Sequence, residues 1–258
     1  MNALAAWPAA LPALLGLALV AWAIATARRN AGLVDIFWSL FFLVATLAWL
    51  LPREAWSERA LVALALVALW SLRLAGYLAW RNWGAQEDHR YAAIRARNEP
   101  GFAWKSLYLV FGLQAVLAWI ISAPLAAAVT GAQPLGALDA LGAALALFGL
   151  GFEAVADAQL ARFRADPSSF GQVLDRGLWR YTRHPNYFGE CCVWWGFYVL
   201  ACAAGGAWTV FAPLLMTVLL LRVSGVTLLE KDIAERRPAY RTYVARTNAF
   251  VPGPGRPA

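Results

Sequence analysis

The feature that most constrains this chain is the recurrence of apolar runs about 20 residues long, each enough to cross about 30 Å of hydrocarbon. Seven can be traced, at 5–26, 33–51, 60–80, 106–129, 138–159, 187–203 and 207–229. Such runs are too long to be anything but membrane spans, so the expectation is an all-α, polytopic membrane protein with seven transmembrane helices. The bulk composition agrees: 61% of the residues are hydrophobic and only 14% are charged, far from the mix of a soluble domain. No Ser/Gly/Pro-rich linker separates the runs, which predicts one seven-helix domain over 1–258 rather than two. The first run lacks a basic stretch ahead of it, so a cleaved signal peptide is the weaker reading.

The net charge of +7 raises the question of nucleic acid, but the basic residues lie in the segments between spans. The segments after spans one, three and five hold two, five and five Lys/Arg and the tail holds six; those after spans two, four and six hold two, none and none. Basic residues favour the cytoplasm, which predicts an outside amino terminus, a cytoplasmic carboxyl terminus and a multi-pass membrane protein without a nucleic-acid partner. The same bias puts the arginine-rich segments on one side, where they can converge on one ligand. Cys191, Cys192 and Cys202 form no CxxC pattern and read as packing. With His89 and His184 the only histidines, no metal site is assigned.

The polar residues that remain cluster in LDRGLWRYTRHPNYFGE, 174–190, between two spans. Arg176, Arg180 and Arg183 offer planar forks to phosphate oxygens, or simply set topology. Asn186 and Glu190, one helical turn apart, supply the donor and acceptor that a nicotinamide carboxamide requires. In span five, Glu153, Asp157 and Arg164 share a helical stripe. They read either as ribose, carboxamide and phosphate contacts, helped by Arg162, or as a solvated helix end with a snorkelling arginine; the depth of Glu153 favours the first. Trp70, Arg73 and Tyr77 share a face of span three, and Arg222 and Glu230 lie two steps of four apart at the last span. Asp35, inside span two, is either a protonated acid that donates to a substrate carbonyl or the partner of Arg73. GLG at 149–151 is a lone small-residue step and no dinucleotide fingerprint.

GLWRYTRHPNYFGE, with the tail EKDIAERRPAYRTYVARTNAFVP, resembles the steroid 5α-reductase family, in particular its bacterial members of the DUF1295 type. RHPNYFGE is also similar to the matching stretch of sterol C14 and C7 reductases. The resemblance is specific over about 150–250 and loose before that. It implies a seven-helix enzyme, a 3-oxo-5α-steroid 4-dehydrogenase, that uses NADPH to reduce the Δ4 double bond of a 3-oxo steroid or similar enone lipid. A monomer in contact with membrane lipid is expected, with 1–105 as the substrate-side half and 138–258 as the cofactor-binding half. Glu153 and Asp157 fall where the family has Asn and Asp at the cofactor, and Arg164 on a cofactor-contacting arginine. Tyr181, Asn186 and Glu190 match the Tyr, Asn and Glu of the main motif, and Trp194 matches a substrate-lining tryptophan. Arg73 matches an early basic residue, Arg222 an arginine of the last span, and Glu230 stands where animal enzymes have tyrosine. The cofactor set is thus Arg73, Glu153, Asp157, Arg164, Arg180, Tyr181, Arg183, Asn186, Glu190, Arg222 and Glu230. The family polarises the carbonyl with a Glu and a Tyr on early spans. The nearest positions are Asp35 and Trp70, and since Trp cannot replace a phenol, Tyr77 is the expected substitute.

The implied reaction is hydride transfer to the β-carbon of an enone, with an acid near Asp35 stabilising charge on the carbonyl oxygen. The competing reading is an S-adenosylmethionine-dependent membrane methyltransferase resembling isoprenylcysteine carboxyl methyltransferase, which has a similar RHPxYxG step and tail. The paired Asn and Glu of NYFGE and the number of arginines favour a phosphorylated dinucleotide. A lipid transporter would be favoured by inverted repeats, which the sequence lacks.

Overall fold

The computed structural model describes residues 3–223 and 239–255. Among them the regular elements are all helical. In chain order these are α1 (Ala3–Ala27), α2 (Ala31–Leu50), α3 (Glu58–Asn82), α4 (His89–Asn98), α5 (Phe102–Ile121), α6 (Ala123–Thr130), α7 (Ala137–Ala165), α8 (Pro185–Ala203), α9 (Ala207–Arg222) and α10 (Ala239–Arg246). Five of them, α1, α2, α3, α5 and α7, are long and apolar enough to cross a membrane. Helix α9 is a shorter apolar helix, and the expected seventh span continues past it into residues outside those described.

The fourth apolar run does not form one helix. Pro124 has no N–H to give to the carbonyl one turn back and its ring crowds that carbonyl, so the ladder stops at Ile121 and restarts as α6. Asn30 opens α2 by accepting the Gly32 N–H at 3.0 Å, Ser57 opens α3 by accepting from Ala60, and Asp88 opens α4 by accepting from Arg90 at 2.9 Å.

The chain divides into two compact units, one of Met1–Asp139 with Leu200–Ala212, the other of Ala140–Val199 with Pro213–Ala258. In the first, α2 and α3 pack around Phe41, Phe42, Ala45, Ala63, Val67 and Trp70, all buried. The Ser39 hydroxyl ties the pair by donating to the Ser71 carbonyl at 2.9 Å. Trp7 and Trp119 stack at 4.8 Å and exchange indole N–H bonds to each other's carbonyls. Arg59, 1% exposed, gives Nε and Nη2 to the Asp139 carboxylate at 2.6 and 3.0 Å and its remaining N–H groups to the Gln133 and Pro134 carbonyls. A buried guanidinium needs a partner that also leaves water, and Asp139 is buried with it.

In the second unit, α7 and α8 cross at a seam of small residues. A Cβ at Gly189 would stand 2.6 Å from the Glu153 amide nitrogen and 2.7 Å from the Gly149 carbonyl oxygen; one at Gly196 would meet the Ala146 amide at 2.6 Å. Without side chains in the way the two backbones touch, which is how helices associate where lipid removes the hydrophobic drive.

Candidate functional site

The glycine seam sets the first polar cluster. Because Gly189 lies against the Glu153 backbone, the turns carrying Glu153 and Asp157 on α7 face those carrying Asn186 and Glu190 on α8. Glu153, Asp157 and Glu190 are all buried, at 2%, 4% and 7% exposure. Asn186 donates its Nδ2 to Asp157 Oδ1 at 3.4 Å. Residues 29 positions apart in sequence are thereby joined, as the reading of both as one site expected. The solvated-helix-end alternative for Glu153 and Asp157 fails on their burial. Farther along α7, Arg162 and Arg164 are exposed.

The arginine-rich segment is strapped down by the carboxyl-terminal tail. Gln159 accepts from the Leu178 amide at 2.9 Å, and Trp179 donates its indole N–H to the Ala156 carbonyl at 3.2 Å. Tyr243 of α10 donates to the Trp179 carbonyl and Arg246 pairs with Asp175. Thr182, fully buried, gives its hydroxyl to the Phe250 carbonyl at 2.8 Å. The Arg183 amide donates to the Asn248 carbonyl and the Gly253 amide to that of Tyr181. Arg183 itself reaches the carbonyls of Val244 and Thr247, at 3.3 and 2.6 Å, at the end of α10. At least one of its N–H groups therefore serves helix capping and not a phosphate. Arg176, Arg180 and Tyr181 remain exposed. His184 is buried and stacks on Tyr187 at 5.7 Å. Trp194 is fully buried with its edge to Phe197. Arg222 is exposed at the end of α9, and Glu230 lies outside the described residues.

The second cluster belongs to the first unit. Asp35, in the first turns of α2, accepts the Tyr91 phenol at 2.5 Å and an Arg90 N–H at 3.0 Å. Of the two readings of Asp35, the one that paired it with Arg73 does not hold: the cation sits on α4, 55 residues away, where the chain folds back over the start of α2. Gln114 of α5 donates to the same phenol at 3.3 Å, and its Oε1 is buried without a hydrogen-bond partner. Asp88 anchors Arg90 through Nε at 2.9 Å. Burial first, and the Asp35 carboxylate second, push the Tyr91 phenol well above its ordinary pKa, so it keeps its proton and acts as a donor. The expected phenol, Tyr77, lies instead with its ring between Arg73 and Arg81, at 5.8 and 5.6 Å. Trp70 packs on Phe42 in the core. Sequence reasoning missed Arg90, Tyr91 and Gln114. The available signal was a buried acid in need of a cation and the HRY step of the polar segment that follows span three.

Glu87 completes the fold-back. It pairs with Arg95 at 2.8 and 2.9 Å and accepts the Ala31 amide at 2.7 Å. Desolvation raises its pKa, but the Arg95 bonds and the Ala31 N–H outweigh that and hold it below the usual value. No cluster of three metal-ligating side chains occurs among the described residues.

These features define a helical, multi-pass membrane protein with one amide–carboxylate cluster whose carboxylates are buried and one half-buried acid–phenol–arginine cluster. The chain belongs to the DUF1295 family of proteins of unknown function, whose profile matches residues 21–247. It is 26% identical to a protein of Schizosaccharomyces pombe that bears the name Uncharacterized protein C594.04c, over 90% of this chain and 76% of that one. No solved structure matches it.

Proposed function

We propose that the chain is an NADPH-dependent membrane reductase acting on a carbon–carbon double bond conjugated to a carbonyl, in a 3-oxo-Δ4 steroid or a similar enone lipid. The reading extends to seven spans with an outside amino terminus in a bacterial inner membrane, and to a monomer. The observation that carries it is the set of buried carboxylates Glu153, Asp157 and Glu190, with Asn186 bonded to Asp157. A carboxamide and ribose hydroxyls present the complementary donors and acceptors. The exposed guanidinium groups of Arg164, Arg176 and Arg180 suit phosphate. The resemblance of RHPNYFGE to steroid and sterol reductases supports the same assignment.

NADPH supplies the hydride when bound; the protein's share is orientation and electrostatics. Asn186 and Glu190 would hold the carboxamide, and Asp157 would keep Asn186 in the orientation that presents its remaining groups. Tyr91 keeps its single O–H, which here goes to Asp35; turned from Asp35 to a substrate, that O–H would donate to a carbonyl oxygen that gains charge. It takes the acid's part expected of Tyr77.

The test uses purified protein in detergent. NADPH should raise the melting temperature while S-adenosylmethionine leaves it unchanged, and adding a 3-oxo-Δ4 steroid should consume the absorbance of the reduced nicotinamide. Stabilisation by S-adenosylmethionine alone would replace the reductase with a methyltransferase.

A further inference from the structure

A cavity of about 410 Å³ opens at the end of α1, lined by Thr26, Arg29, Arg95, Glu99, Phe102 and Phe111 among others. None of these residues belongs to either cluster described above. The size falls within the range of ligand sites.

Two of its charged side chains, Arg29 and Glu99, make no ion pair among the described residues. Arg95 is neutralised by two bonds to Glu87 and lies over the Phe102 ring at 4.5 Å. Glu99 makes no ion pair; its one hydrogen bond is from the Phe102 amide at a long 3.4 Å. The Arg29 guanidinium makes neither a hydrogen bond nor an ion pair with any described residue. One guanidinium and one carboxylate that make no ion pair, both exposed, thus line the same cavity.

Arg29 is also held in an unfavourable backbone conformation. It is the one non-glycine residue with positive φ among those described, at +51°. The Asn30 amide bonds to the Ala25 carbonyl and closes α1 around it, in the left-handed position that glycine ordinarily fills. A long cationic side chain there is strained, and strain of this kind gathers at binding sites.

The cavity lies where an apolar helix gives way to Arg28, Arg29 and Asn30. Trp22 packs at a tilt against Trp104, ring centres 5.1 Å apart, and donates to the Ala103 carbonyl, as expected of tryptophans at the headgroup level. We propose that this cavity binds a phosphoethanolamine group, its phosphate on Arg29 and its primary ammonium on Glu99. The ammonium has N–H donors for the carboxylate; a quaternary choline has none, and a glycerol headgroup carries no cation.

Native mass spectrometry of the full chain in detergent, offered phosphatidylethanolamine, phosphatidylcholine and phosphatidylglycerol, tests the assignment. Phosphatidylethanolamine should be retained preferentially. Arg29→Gly relieves the backbone strain, so its melting temperature without lipid should equal or exceed that of the parent, while retention falls by about tenfold or more. Glu99→Gln, which can still accept the Phe102 amide, should abolish the preference over phosphatidylglycerol. Competition by free phosphoethanolamine would identify a soluble ligand, and none would identify the lipid headgroup. Equal retention of the three lipids by the parent protein, or undiminished retention by Arg29→Gly, would overturn the proposal.

Discussion

Two glycines of α7, Gly149 and Gly151, show how much turns on a single hydrogen in this molecule. A Cβ at Gly149 would lie 2.5 Å from the Gly189 carbonyl oxygen and 2.6 Å from the Val193 amide, whereas one at Gly151 meets nothing within 4 Å. Gly149→Ala should therefore force the seam apart and lower stability by about 1–3 kcal/mol. Gly151→Ala, two residues on, should raise it by up to about 1 kcal/mol because alanine loses less entropy in a helix. Melting temperatures of the two variants should move in opposite directions, and a parallel shift would refute the seam. The acid–phenol pair is equally local. Tyr91→Phe deletes the hydrogen bond to Asp35 and should cost about 1 kcal/mol of stability. On the proposed reductase it should also depress kcat by far more than Tyr77→Phe, and a larger effect at Tyr77 would return the acid's role to that residue.

At the scale of elements, α4 matters because it turns a membrane helix end into a closed polar cluster. Its hold on the start of α2 runs through carboxylates: Glu87 to Arg95 and the Ala31 amide, Asp88 to Arg90. For Asp88, too, desolvation is outweighed by its bonds to Arg90, and its pKa is lowered. A lowered folded pKa contributes stability that is complete above the unfolded value and is lost as pH falls through the folded one. From the ordinary values of 4.5 for Glu87 and 3.8 for Asp88 downward, the fold-back should loosen progressively. Exchange of the Ala31 amide should quicken over that interval and stay flat above it, and Glu87→Gln should remove Glu87's share of the response. The 131–139 connection is held differently, by the buried bidentate pair of Arg59 and Asp139. Asp139→Asn leaves a guanidinium buried without its counter-charge, so unfolding should become easier by about 3–5 kcal/mol. Thermal unfolding in detergent would measure it.

Across the whole molecule, what the sequence made legible follows from what each feature depends on. Apolar length is a property of contiguous residues, so α1, α2, α3, α5 and α7 could be placed from it; the break at Pro124 was hidden because proline interrupts a ladder without interrupting hydropathy. Asp157 and Asn186 could be assigned to one ligand because each sits at a helical spacing from another polar residue in an apolar helix. Asp35 with Arg90, and Arg59 with Asp139, could not, because the partners are 55 and 80 residues apart and no local pattern records which helix ends meet. The same limit governs orientation, where charge counts predict a side and the coordinates of a helix do not. The proposed topology puts Glu54 outside and the 166–176 segment inside. Phe170, 96% exposed, and Glu54, also exposed, are suitable for single-cysteine substitution. Cys191 and Cys192 are buried, which leaves Cys202 as the described native thiol to be replaced first. A membrane-impermeant maleimide should label Glu54→Cys in intact cells and Phe170→Cys only after permeabilisation. The reverse pattern would invert the bundle and move the proposed dinucleotide site to the face away from cytoplasmic NADPH.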